Sequence, residues 1–205
     1  MGKILITSAT SGNNLMLANQ VGDLIDKQKD IISLEDLSLP LYTSAIEKVE
    51  DRSIIDLCNK FINSDGLIFF APEYNGGSPP ILTNTITWLS LATDNWREAF
   101  VNKKVLIGTH SGGAGYRFLS TFRVQLEHLG AIVYPRTIMI NRNKEFEAES
   151  VKNIIKGYIE LLIDGEGNFG SRDGDDAVLT FALPSGSYAT TLCRLVVSSN
   201  LSVGN

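Results

Sequence analysis

Short runs of consecutive apolar residues alternate along this chain with longer stretches in which apolar positions recur every three or four residues. The first kind reads as strands buried on both faces, the second as amphipathic helices. Strands are predicted at 3–7 (Ile4, Leu5, Ile6), 30–34, 66–71 (Leu67, Ile68, Phe69, Phe70), 104–109 and 131–134, the last resuming at 138–140. Helices are predicted at 14–27, 51–63, 78–92, 115–129 and 147–163. In the third helix Ser78 is expected as N-cap and Pro79 as first helical residue. Apolar strands separated by helices imply right-handed crossovers. The expected architecture is therefore an α/β three-layer sandwich around a five-stranded parallel sheet of order 2-1-3-4-5. Ligands in such a sheet sit beyond the carboxyl ends of the strands where the order reverses, which directs attention to the loops after strands one, three and four.

Bulk composition narrows the function classes. The chain has 205 residues, 43% hydrophobic and 20% charged, enough for a real core in one α/β domain. The net charge is −5, with acids and bases interspersed, so no basic stripe of the kind phosphate backbones demand is present. Two cysteines, Cys58 and Cys193, form no CxxC pattern, and two histidines do not suit a metal cluster. Cys58, among Ile54, Leu57 and Phe61, reads as a core residue of a helix. The opening residues read as a strand rather than a signal peptide, and no apolar run is long enough to span a bilayer. These features lead to the expectation of a cytoplasmic protein with no nucleic-acid or membrane partner and no metal.

Three loops carry the candidate chemistry. The first, 7–14, offers Ser8, Thr10, Ser11, Asn13 and Asn14 at a helix start, where converging N–H groups and the helix dipole suit a phosphate monoester. It lacks lysine and arginine and matches neither GxxxxGK[ST] nor GxGxxG. The second, 71–79, holds Pro72, Glu73, Tyr74, Asn75 and Gly76: a turn that can approach a flat ligand closely, with an aromatic stacking face. The third, 108–116, exposes backbone N–H groups at Ser111, Gly112, Gly113 and Gly115. His110 lies there too; one histidine without a placed partner reads as packing or hydrogen bonding beside the site rather than as a catalytic base.

At these residues the chain resembles the NADPH-dependent FMN reductases, the flavodoxin-like group that includes azoreductases and quinone reductases. The stretch from Pro72-Glu73-Tyr74-Asn75 through Pro79, Leu82, Asn84, Trp88 and Ser90 is similar to the family's PEYN-x-x-x-P-x-x-L-K-N-A-x-D-W-x-S motif. Asp36-Leu37-Ser38-Leu39-Pro40-Leu41-Tyr42 and Ser111-Gly112-Gly113-Ala114-Gly115 resemble further family segments. Thr83 and Thr87 stand where the family has Lys and Asp, and Thr10 or Ser11 stands where it often has an arginine. The resemblance spans residues 1–163. It implies FMN as prosthetic group, with phosphate on Ser8, Thr10, Ser11, Asn13 and Asn14. The ring would rest on Pro72, Glu73, Tyr74, Asn75 and Gly76, with Ser111, Gly112, Gly113 and Gly115 on its other side. NADH or NADPH would be the electron donor, and quinones, azo compounds, metal ions or free flavin the acceptors. No protein acid or base is implied, since flavin N5 carries the hydride. A homodimer or homotetramer is implied as well. A flavin-binding electron carrier or sensor without NAD(P)H oxidation is the alternative.

The tail departs from this pattern. Residues 164–175 read as a linker, and 176–205 resemble the closing segment of TruD-type tRNA pseudouridine synthases around Leu183-Pro184-Ser185-Gly186-Ser187-Tyr188-Ala189-Thr190. That family's catalytic region is not recognisable here, so the tail is expected to be a fused or mobile fragment, with a strand at 178–183. An RNA-modification role is the remotest reading.

Overall fold

In the computed structural model, residues 2–45, 51–93, 95–164, 171–173 and 176–178 are described. β1 (Ile4–Ser8), β2 (Lys29–Ser33), β3 (Gly66–Phe70) and β4 (Lys104–His110) pair in parallel, in the order β2-β1-β3-β4. Two short segments follow β4's far edge in succession: β5 (Ile132–Val133) pairs with its start and β6 (Ile138–Ile140) with its end. The five-strand order read from the sequence is thus present, with the fifth strand broken in two. Pro135, which cannot donate to a ladder, lies in the break.

The sheet is sandwiched between two apolar layers. On one face lie α2 (Arg52–Ile62), α3 (Pro80–Leu91) and α4 (Tyr116–His128), burying Phe61, Phe69, Trp88, Phe118 and Phe122. On the other lie α1 (Asn13–Asp23) and α5 (Ala148–Asp164), burying Ile6, Val21, Ile68, Leu106 and Tyr158. Each strand contributes to both layers through alternate residues, which is why its apolar run is continuous. Cys58 lies in the first layer, and burial pushes its thiol up to about 11.

Two helix starts carry instructive chemistry. Asp51 caps α2, accepting from the Ser53 N–H at 2.8 Å and its hydroxyl at 2.6 Å, and these bonds hold its carboxyl below the usual range. α3 begins one residue later than expected: Pro79 is the N-cap and Pro80 the first helical residue. Pro79 is extended (φ −58°, ψ 144°) because the ring of Pro80 excludes the helical region for the residue before it. Ser78 therefore lies outside the helix and does not cap it. α3 also pins the segment before the second helix: Trp88 Nε1 and Asn84 Nδ2 both donate to the Pro40 carbonyl, at 2.8 and 3.0 Å.

β7 (Ser171–Asp173) and β8 (Asp176–Val178) form a small antiparallel pair within the unit 164–205, separate from the unit 1–163. The expected linker at 164–175, the strand at 178–183 and the tail to 205 otherwise lie outside the described residues. Among the described residues no helix is long and apolar enough to cross a membrane.

Candidate active site

The strand order reverses at β1, which has β2 on one side and β3 on the other. The loops leaving β1, β3 and β4 all emerge at that carboxyl edge and enclose a cleft of about 530 Å³, a volume ordinary for small-molecule sites. Its walls are Thr10, Gly12, Asn13 and Asn14 from the first loop, Pro72, Glu73 and Tyr74 from the second, and His110, Ser111 and Gly112 from the third. Glu35, after β2, and Asn141 and Arg142, after β6, complete it.

Eight of the expected residues thus meet on one cleft: Thr10, Asn13, Asn14, Pro72, Glu73, Tyr74, Ser111 and Gly112. Several have their polar groups engaged by the protein itself. Asn14 Nδ2 donates to the His110 carbonyl at 3.0 Å, and the His110 N–H donates to Asn14 Oδ1 at 2.8 Å. This reciprocal amide pair ties the start of α1 to the end of β4. Glu73 Oε2 accepts from the Arg117 and Phe118 N–H groups at 2.9 and 3.2 Å. The N-cap of α4 is Gly115, which has no side chain to offer, so a carboxylate from the neighbouring loop satisfies the helix's first free donors. The Glu73 N–H donates to Ser111 Oγ at 2.8 Å, and that hydroxyl shares a 2.7 Å bond with Thr109 Oγ1.

The remaining expected residues, Ser8, Ser11, Asn75, Gly76, Gly113 and Gly115, are not among those lining the cleft. Ser8 is fully buried and its hydroxyl donates to the Thr10 carbonyl at 2.7 Å, bending the first loop. Ser11 faces away: its N–H donates to Glu35 Oε2 at 2.6 Å, and its hydroxyl contacts Ser33 Oγ and Asp36 Oδ1 at 3.0 and 3.2 Å. Asn75 and Gly76 form a two-residue turn, with φ of 51° and 77°, closed by two 3.0 Å bonds between Tyr74 and Gly77. Positive φ at both central residues is the type I′ geometry that Asn-Gly favours. The turn carries Tyr74, half exposed, to the rim. Gly115 has φ 68°, and a Cβ there would lie 2.8 Å from Thr109 Cγ2, so it serves the backbone.

The sequence profile of the NADPH-dependent FMN reductases matches residues 3–145, about seven tenths of the chain. The chain belongs to that family. Among proteins similar to the reductase is a quinone reductase of Escherichia coli strain K12, 27% identical over 164 residues that cover 78% of this chain and 83% of the relative. A 2-hydroxy-1,4-benzoquinone reductase of a Burkholderia species is 25% identical, covering 82% and 84%. A solved flavoenzyme, the NAD(P)H:(acceptor) oxidoreductase FerB of Paracoccus denitrificans, superposes with a TM-score of 0.67 at 14% identity, covering 80% of this chain and 99% of that one. That likeness is one of flavodoxin-like fold, shared with an archaeal flavodoxin at a TM-score of 0.56.

The reductase is accordingly an FMN-dependent oxidoreductase with NAD(P)H as electron donor, and features of its cleft suit such a cofactor. α1 has no side-chain cap and no acidic residue in its first turn, leaving donors for an anion. Gly12 and Gly112 line the cleft, have no left-handed φ, and a Cβ at either would meet nothing within 4 Å. The fold's own packing does not require glycine at these two positions, and a side chain at either would narrow the cleft.

His110, Glu35, Gly12, Asn141 and Arg142 were not among the residues expected to bind. Asn141 and Arg142 had a usable sign in the resumed apolar run at 138–140, which brings a fourth loop to the same edge.

Proposed function

We propose that the reductase holds FMN in this cleft and uses it to reduce a small quinone-class acceptor at the expense of NADH or NADPH. The convergence of three strand-end loops at the point of strand reversal carries the reading. The phosphate is assigned to the first turn of α1, with Thr10 and Asn13 beside it. The ring is assigned to the space between Pro72–Tyr74 and Ser111–Gly112. FMN held there would supply two-electron redox chemistry between the nicotinamide donor and the acceptor.

The chain's own residues supply position. The Asn14–His110 pair fixes the distance between the first and third loops, and Glu73 fixes the second against α4. Tyr74, half exposed at the rim, offers an apolar face to an incoming planar molecule. The quinone class is supported by the two quinone-reducing relatives. Purified protein is expected to be yellow, to bleach anaerobically with NADH or NADPH, and to recolour on addition of 1,4-benzoquinone. A colourless protein that does not take up added FMN would reject the reading. Bleaching by dithionite but by neither nicotinamide would make it an electron carrier instead.

A further inference from the structure

The cleft's charge is unbalanced at its phosphate end. The first loop brings no cation, and Glu35 places a carboxylate on the cleft wall, bonded to the Ser11 N–H at 2.6 Å. A half-charge from the α1 dipole is all the loop itself sets against an incoming dianion. Among the residues lining the cleft, Arg142 is the one lysine or arginine. It comes from the turn after β6, the strand paired with the end of β4. The pairing of His110 with Ile140 and the 3.1 Å bond from the Ser111 N–H to the Ile140 carbonyl set the residues after β6 beside the third loop. The chain then reverses over Asn141–Lys144, closed by paired bonds of 3.0 and 3.1 Å and by Asn141 Oδ1 accepting from the Asn143 N–H at 2.8 Å. Arg142 sits on this reversal, exposed, and among the described residues no carboxylate pairs with it within 4.0 Å. A second hollow of about 330 Å³ adjoins the first and shares Asn13, His110, Asn141 and Arg142 with it. Arg142 thus shares both hollows with Asn13, in the first turn of α1.

We infer that Arg142 is the cationic partner of the FMN phosphate, delivered by the β6–α5 turn in place of a cation in the β1–α1 loop. The inference rests on the FMN assignment above. A guanidinium offers a planar fork that matches a phosphate's oxygens, and a turn closed by its own backbone bonds holds that fork without help from the ligand. Arg142 is thus a cofactor-specificity residue: it separates FMN from riboflavin, which has the same ring and no phosphate.

The test is titration of the flavin-stripped full-length chain with FMN and with riboflavin, followed by flavin fluorescence. The wild-type chain is expected to prefer FMN. Arg142→Ala should weaken FMN binding by about tenfold to a hundredfold, the range of a charge-assisted bond, and leave riboflavin unchanged. Arg142→Lys, which keeps the charge and loses the fork, should recover part of that loss. The salt dependence of FMN binding should flatten in Arg142→Ala. Because the turn is closed by Asn141, Asn143 and Lys144, the variant should melt at the wild-type temperature. If Arg142→Ala leaves the FMN-to-riboflavin ratio unchanged, the inference is overturned. It is equally overturned if the variant raises only the KM for the nicotinamide donor, which would give Arg142 to the donor's phosphates. A wild-type chain that takes up neither flavin sinks the FMN assignment and this inference together; one that takes up both, with an unchanged ratio in the variant, sinks this inference alone.

Discussion

Gly112, Gly113 and Gly115 look alike in the sequence, and all three suggest a ligand loop. Their surroundings separate them. A Cβ at Gly112 or Gly113 would meet nothing within 4 Å, whereas at Gly115 it would press on Thr109 and on Ser111 Oγ in a backbone of φ 68°. Gly115→Ala should therefore cost about 1–3 kcal/mol of folding stability, read as a shift in the urea midpoint with an unchanged slope. Gly113→Ala should leave the midpoint in place. The sequence offers residue types but not φ or neighbours, so it could not tell a glycine kept for the backbone from one facing open space. For the same reason it suggested Ser8, Ser11, Asn14, Glu73 and Ser111 as cofactor-binding residues without showing that their side chains are hydrogen-bonded within the protein.

At the scale of elements, the apolar periodicity located every strand and helix among the described residues of 3–163 to within a few positions. The differences have local causes. The apolar pattern of the first helix runs on to Ile25, but the hydrogen bonding tightens at Leu24 and Ile25, which donate three residues back to Val21 and Gly22. The third helix starts late because one proline restricts another. What pattern could not show is how α4 starts, since the carboxylate that caps it lies more than forty residues away. Removing that cap by Glu73→Ala should lower stability by about 1–2 kcal/mol, the usual worth of an N-terminal cap. Glu73→Gln, which keeps an acceptor oxygen, should lose less. Thermal unfolding of the two variants side by side checks the order.

Over the whole molecule, the parallel order was legible because each strand's double-sided burial forces helices onto both faces. The apolar run at 138–140 marks the strand behind the cleft's fourth wall, but pattern alone does not show that β6 pairs with the end of β4 and so brings Asn141 and Arg142 to the cleft. The α1/α5 layer is tied to the sheet through a buried hydroxyl. The Tyr158 hydroxyl, on α5, shares its proton between the carbonyls of Leu67 on β3 and Lys104 on β4, at 3.1 and 3.2 Å. Burial raises its pKa well above the ordinary phenol range. Gly66 makes this approach possible, because a Cβ there would overlap the hydroxyl and Leu162. Tyr158→Phe leaves two carbonyls without that donor in a dry interior and should cost about 1–2 kcal/mol, measured by guanidinium denaturation.

The ties among the three loops run from protein to protein: Asn14 to His110, Glu73 to α4, Glu73 N–H to Ser111. Ordering those segments is accomplished when the chain folds, so a guest arriving later encounters a rigid receptacle and forfeits little chain entropy on entry. Stripping and reloading should then leave amide exchange in these segments nearly unaltered, with protection already high in the empty form.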